Sequence, residues 1–188
     1  LTGHGTSVDL RLARIRRAYG AAGAPDRRIV DRFDGGHEFH GTVALDALRR
    51  WTERTFASIR DRLEVRRSEG SVRECHGDLH LGNIAVVDGR VAVFDCIDFD
   101  ARMRWNDLMG EVAFVAMDLE YRGRADLADR FVNRYMEATG DYAGAAVLRF
   151  FVVYRAMVRA KVEALRAAQM PDGAERAALA TECREYVA

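Results

Sequence analysis

Apolar and polar positions change their rhythm twice along the chain. Over residues 43–68 apolar side chains recur at three-to-four spacing, through Leu45, Leu48, Phe56, Ile59 and Leu63 with Trp51 and Thr52 in the middle gap. That spacing predicts one long helix. Arg49, Arg50, Glu53, Arg60, Asp61 and Arg66 would decorate its wet face, and Glu69 and Gly70 would close it. Ahead of it, residues 8–22 read as a short helix ended by Gly20, Gly23 and Pro25, and residues 26–41 read as a loop. The period then shortens. Ile84-Ala-Val-Val87 and Val91-Ala-Val-Phe94 are two apolar runs joined around Asp88-Gly89. Asp-Gly between such runs signals a hairpin, because both turn positions need φ > 0. Both faces of each strand are apolar, so burial on both sides is expected. Helical spacing returns afterwards. Residues 108–119 are nearly all apolar and suggest a central core helix. Residues 124–139 form an amphipathic pattern that stops at Gly140, and residues 144–168 form a longer one. Pro171 and Gly173 interrupt before a short terminal helix. The expected fold class is mainly α with a small β hairpin.

Composition narrows what such a body does. With 49% hydrophobic and 31% charged residues the chain is an ordinary globular sequence, which excludes disorder. Lys and Arg number 29 against 29 Asp and Glu, so the basic excess of a dedicated nucleic-acid binder is missing and no nucleic-acid partner is expected. No apolar run approaches the roughly 20 residues that cross a bilayer, so no membrane partner is expected either. Cys75, Cys96 and Cys183 form an odd set without C-x-x-C spacing, which argues against a disulfide framework or zinc ribbon. Reduced thiols in a cytoplasmic protein follow, with Cys75 and Cys96 read as buried small hydrophobes. The chain begins at Leu1 rather than Met, and reads as an excised piece.

Candidate chemistry gathers in Cys75-His-Gly-Asp-Leu-His-Leu-Gly-Asn-Ile84 and Phe94-Asp-Cys-Ile-Asp-Phe-Asp100. With a two-residue turn, Val87 pairs with Arg90 and Asn83 falls opposite Phe94. Asp95 then lies next to Asn83 at the open end of the hairpin, since adjacent strands are about 4.8 Å apart. Asp78, five residues before Asn83, enters at the same end. Three oxygen-bearing side chains thus converge where one hard cation such as Mg²⁺ could be shared. Phosphoryl transfer needs such a place, because the protein must position reactants, neutralise phosphate charge and orient one hydroxyl.

His76-Gly-Asp78 with Asn83 five residues on resembles the catalytic loop of protein kinases, with Gly77 where that pattern has Arg. Together with Leu79-His80, the strand-borne Asp95 and Trp105-Asn-Asp107, it resembles the aminoglycoside phosphotransferase family of kinase-like small-molecule kinases. The wording is closer still to a bacterial subgroup in which this domain is fused to a downstream P-loop ATP-binding domain. The resemblance covers roughly residues 49–168 and implies a protein-kinase-like C-terminal, catalytic lobe. Its implied division is a helix and loop lead-in (1–42), a long helix (43–70), the catalytic loop, hairpin and metal-binding Asp (71–107), and a helical subdomain (108–188).

By that resemblance Asp78 would be the catalytic base or hydroxyl-orienting residue, and His76 would brace its loop. Asn83 and Asp95 would hold Mg²⁺ and the nucleotide phosphates, and Asp107 would cap the next helix. The cofactors would be Mg²⁺ and ATP or GTP, and the partner a small-molecule hydroxyl acceptor. The family's N-terminal ATP-binding lobe, with its strand-borne Lys, is not found in these residues, nor is any Gly-x-x-x-x-Gly-Lys-Ser/Thr. The missing lobe and a downstream P-loop domain would then be partners, and the piece alone would be inactive.

Other residues carry weaker signals. His80, Asp98, Arg155 and Arg159 are candidate substrate contacts. Asp98 and Asp100 read first as a solvated turn, with a substrate contact the second reading. Arg155, Arg159 and Arg166, near Lys161, read as a solvated face with Glu163 or as a basic wall toward an anionic acceptor. Gly3-His-Gly-Thr is a weak phosphate-loop pattern at a frayed terminus. Two other functions remain open: a nucleotide-binding regulatory or scaffold domain without turnover, and a metallohydrolase using His76, Asp78 and His80.

Overall fold

The computed structural model describes residues 40–186, with side chains from residue 46 onward. The expected helix at 8–22, the Gly3-His-Gly-Thr pattern and nearly all of the 26–41 loop lie outside the described residues. The chain divides into two compact units, Leu1–Ser58 and Ile59–Ala188. Helix α1, His40–Ser68, begins in the first unit and ends in the second. It starts three residues earlier than the spacing indicated. In the first unit Trp51 is buried while Phe56 is exposed.

In the second unit, α1 ends as its last residues dictate. Gly70 adopts φ +80°, Ser71 N donates to Arg66 O, and Gly70 N donates to Arg67 O. These bonds satisfy carbonyls that a helix end leaves open. Strand β1, Val72–Glu74, then pairs antiparallel with β4, Trp105–Asp107, with Arg73 opposite Asn106. The hairpin is β2, Ile84–Val87, and β3, Arg90–Val93, with Val87 opposite Arg90 and Ile84 opposite Val93. Asp88 and Gly89 both take positive φ, 52° and 73°, as the turn requires. The expected two-sided burial is wrong. Val86 and Val91 are 72% and 73% exposed, and only Ile84, Ala85 and Ala92 are partly covered. An apolar run states what a strand could bury, and here the outer part of the ribbon has no described element over it. The cysteines also depart from expectation. Cys96 is exposed, and Cys75 is half-buried with its Sγ toward the Arg73 and Asn106 carbonyls.

The helical body follows the predicted order: α2 (Leu108–Tyr121), α3 (Ala125–Thr139), α4 (Ala145–Gln169) and α5 (Ala174–Glu185). Helix α2 packs against α3 and α4, and α5 against α4. Met109, Ala113 and Phe114 of α2 and Val147 of α4 are fully buried. Gly140 ends α3 at φ +77°.

One side chain ties three of these pieces together. Buried Arg66, from the end of α1, forks onto both Asp107 carboxylate oxygens at 2.8 Å. It also reaches Asp141 at 2.6 and 2.8 Å. Asp107 caps α2 by accepting from Met109 N, and Asp141 accepts from Gly144 N just before α4. Such bidentate, charge-assisted contacts are the strong class of hydrogen bond.

Candidate active site

The loop 75–83 runs between β1 and β2, and its shape follows from one glycine. Gly77 sits at φ +88°, and a Cβ there would lie 3.1 Å from both Ile97 Cδ1 and Met103 O. Any other residue would meet both the left-handed backbone penalty and these atoms. This accounts for glycine where the kinase pattern carries Arg.

His76 is held on both sides of its ring. Nε2 lies 2.8 Å from Phe94 O, and Nδ1 accepts from Asp78 N at 3.4 Å. Ile97 N also donates to His76 O. The residue therefore joins the loop to the strand exit. Both ring nitrogens are occupied, so His76 offers none to a metal. Among the described residues no three His, Cys, Asp or Glu side chains gather as a metal site. The engagement of both His76 ring nitrogens weighs against the metallohydrolase alternative.

Asp78 projects from this brace, with its side chain about one-third exposed (36%). Asn83 Nδ2 donates to Asp78 O at 2.9 Å and approaches Asp78 Oδ2 at 3.4 Å. Asn83 itself is buried, which leaves its Oδ1 as the remaining polar atom of that amide. The register places Asn83 beside the strand exit: Phe94 N donates to Asn83 O, and Asp95 follows, exposed, at φ +61°. The position of Asp95 one residue past the Asn83–Phe94 pair follows the hairpin register, and the loop brings Asp78 to the same Asn83.

His80 caps the short 3₁₀ turn Leu81–Asn83 by accepting from Gly82 N at its Nδ1. That bond assigns the ring proton to Nε2, which faces Asp78 Oδ2 at 3.5 Å. A Cβ on Gly82 would come within 2.8 Å of this ring, so glycine is needed beside it. The His80 hydrogen bond is the main reason the Asp78 carboxyl lies below its usual range, and it outweighs burial. The charges of Arg159 and Arg155 act in the same direction. Asp78 is thus held as a carboxylate, the form that accepts a hydroxyl's hydrogen bond.

The remaining candidates are dispersed. Asp98 is exposed on the loop after Asp95, and Asp100 caps the 3₁₀ turn Ala101–Met103 while pairing with Arg102. The expected solvated arginine face of α4 is corrected in two places. Arg155 is buried, donating to Gly110 O, Gly77 O and Glu111 Oε1. Its guanidinium is thereby engaged beneath the loop rather than open as a basic wall. Glu163 is also buried, bridged by Arg159 at 2.8 Å and Arg166 at 3.4 Å. Arg159 is half-buried, and its guanidinium lies 5.8 Å over the Tyr186 ring.

Spacing along the chain did not assign Glu111 and Asp118 the role of holding the loop. Glu111 Oε2 accepts from Gly77 N at 3.2 Å, and Asp118 Oδ2 accepts from Leu81 N at 2.8 Å. Burial pushes the Glu111 carboxyl above its usual range, opposed by Arg155 and the Gly77 amide. A signal was present, because Glu111 and Asp118 interrupt the apolar run of this helix and buried carboxylates must find partners.

Comparison with known proteins agrees with the motif. The model of the phosphotransferase enzyme family (APH) matches residues 9–151. Curated relatives include an uncharacterized protein of Mycobacterium bovis and uncharacterized proteins of Mycobacterium tuberculosis. Each is 39% identical over 154 residues, covering 80% of this chain and 31% of the relative. The chain therefore spans less than a third of the length of these relatives. No solved structure matches the chain.

Proposed function

We propose, from the premise that the chain belongs to the phosphotransferase enzyme family, that it is the catalytic lobe of a kinase-like enzyme acting on a small molecule. The whole protein transfers the γ-phosphoryl group of ATP or GTP to a hydroxyl of its acceptor. Asp78 receives the hydrogen bond of that hydroxyl and orients it for attack. The observation that carries this reading is the setting of Asp78: ionised, partly exposed, and fixed through its backbone oxygen by Asn83. A carboxylate so placed needs no rearrangement before it accepts a proton.

Mg²⁺ fits the donors at hand. Asn83 Oδ1 and the exposed Asp95 carboxylate offer oxygen alone, the ligand type a hard cation takes. When bound, magnesium supplies neutralisation of phosphate charge. His76 keeps the two ligand-bearing segments together through its bond to Phe94 O. Arg159, half-buried near Asp78, adds positive potential at the same place. The parent protein would supply the lobe that covers the nucleotide, in keeping with relatives more than three times the length of the matched stretch.

The reading is tested by incubating the full-length protein with ATP labelled at its γ-phosphate, Mg²⁺ and fractionated hydroxylated metabolites. Label should pass to one acceptor class, and Asp95→Asn should raise the Mg²⁺ concentration needed for half-maximal transfer by about tenfold. Nucleotide binding with no transfer to any acceptor would favour a scaffold role instead.

A further inference from the structure

The amides on either side of Asp78 are both received by carboxylates of one helix. Glu111 and Asp118 stand seven residues apart on α2, which places them on one face and about 10 Å apart along its axis. Glu111 accepts from Gly77 N and Asp118 from Leu81 N. Arg155 completes the arrangement from α4. Its Nη1 donates to Gly77 O at 3.0 Å while its Nη2 donates to Glu111 Oε1 at 3.0 Å. The Arg155–Glu111 pair therefore holds both peptide groups that flank the Gly77 Cα. The second of these groups carries the amide of Asp78 itself.

Charge is an expensive way to fill this space. Glu111, Asp118 and Arg155 are 7%, 3% and 5% exposed, beside the apolar core residues Met109, Ala113 and Phe114 of the same helix as the two carboxylates. Replacing a buried ion pair by apolar residues of similar volume often leaves stability unchanged or improved. Packing alone does not call for these residues, but orienting backbone groups does, since apolar side chains cannot do so. A second line of contacts reaches the same carboxylate from the other side. The Arg155 guanidinium lies 4.6 Å from the centre of the Phe114 ring, and that ring tilts against the His80 imidazole at 5.7 Å. His80 in turn faces Asp78.

We propose that Glu111 and Asp118, with Arg155 as the partner of Glu111, are positioning residues that fix the backbone on both sides of Asp78 and thereby aim its carboxylate. The inference rests on the function proposed above. It assigns α2 a task beyond forming the core, because its buried face presents two acceptors spaced to match the loop. A misplacement of about 1 Å in a reacting group can cost on the order of 100-fold in rate. The grip should therefore be visible in turnover before it is visible in stability.

The test uses the full-length protein with ATP labelled at the γ-phosphate and Mg²⁺, following transfer to water and to the acceptor fraction. The double variant Glu111→Leu/Arg155→Met removes the pair as a unit without leaving a lone buried charge. It should fold, lose about 100-fold in kcat, and keep its KM for ATP within about threefold. Asp118→Asn retains an acceptor oxygen for Leu81 N and should stay close to wild type, whereas Asp118→Leu should lose about tenfold in kcat. Amide hydrogen exchange should quicken at Gly77 and Leu81 in the double and Asp118→Leu variants respectively. A folded double variant with wild-type kcat would overturn the proposal, as would unchanged exchange at Gly77. Wild-type protein without any transfer would overturn the proposed function instead. In that case the exchange result would still decide whether the loop is gripped.

Discussion

The 75–83 loop lies between two neighbours of opposite character. On one side the helical body is buried and closed by charge. Arg66 locks Asp107 and Asp141, Arg155 locks Glu111, and carboxylates of α2 receive loop amides. On the other side the β2–β3 ribbon is exposed and apolar, with Val86 and Val91 turned to solvent. The helical side carries polar groups where water is excluded, so each contact is directional and its loss costly. The ribbon carries apolar groups where water has access, so individual side chains contribute little to stability. The helical side grips the backbone before and after Asp78, at Gly77 and Leu81. The ribbon side holds Asp78 itself through Asn83 and the His76–Phe94 contact, and its register delivers Asp95.

Perturbations should respect that division. The largest effect on stability is expected at Arg66. Arg66→Leu leaves two carboxylates unpaired, one of them almost fully buried, and should lower unfolding free energy by about 3–5 kcal/mol in urea titrations. A loss under about 1 kcal/mol would mean that the body is not closed by charge.

Acid should act on the same contact more gently. Burial pushes the Asp141 carboxyl upward, but hydrogen bonds and charge from Arg66 outweigh it, and its folded value lies below the ordinary one. A depressed folded pKa stabilises fully above the unfolded value, about 3.9, and that contribution fades as pH falls through the folded value. Urea midpoints should therefore drop below about pH 4 in wild type, and less steeply in Asp141→Asn. Equal slopes would remove Asp141 from the account.

The smallest effect is expected on the ribbon. Val86→Thr and Val91→Thr should each change stability by less than about 0.5 kcal/mol in the same titrations. A cost of about 2 kcal/mol would show that this face is covered in solution.

Much of the fold was legible along the chain, but not this division. The hairpin register followed from Asp88-Gly89, because the turn leaves Val87 opposite Arg90 and everything else follows by counting. The approach of Asp78 to Asn83 followed from their five-residue separation on the loop entering the same end. Helix α2 followed from its continuous apolar run, and α3 and α4 from their periods. What spacing does not carry is the partner of a polar residue far along the chain. Arg66 looked like a wet-face residue of α1, yet its partners lie 41 and 75 residues away. Arg155 and Glu163 likewise looked solvated, because a helical period marks faces but does not state which neighbour covers them. The β1–β4 pair went unseen, since three-residue strands 31 positions apart leave no alternation to read. The exposure of the ribbon was misjudged for the converse reason, as apolar composition does not report the absence of cover.

The central claim is that Asp78 orients and deprotonates the acceptor hydroxyl without holding the nucleotide. Single-turnover transfer by full-length Asp78→Asn, with nucleotide affinity titrated in parallel, tests it most directly. The expected result is a transfer rate about 1,000-fold lower than wild type, at an affinity for ATP unchanged within about threefold. Transfer within about tenfold of wild type, or a loss explained wholly by weaker nucleotide binding, would contradict the account.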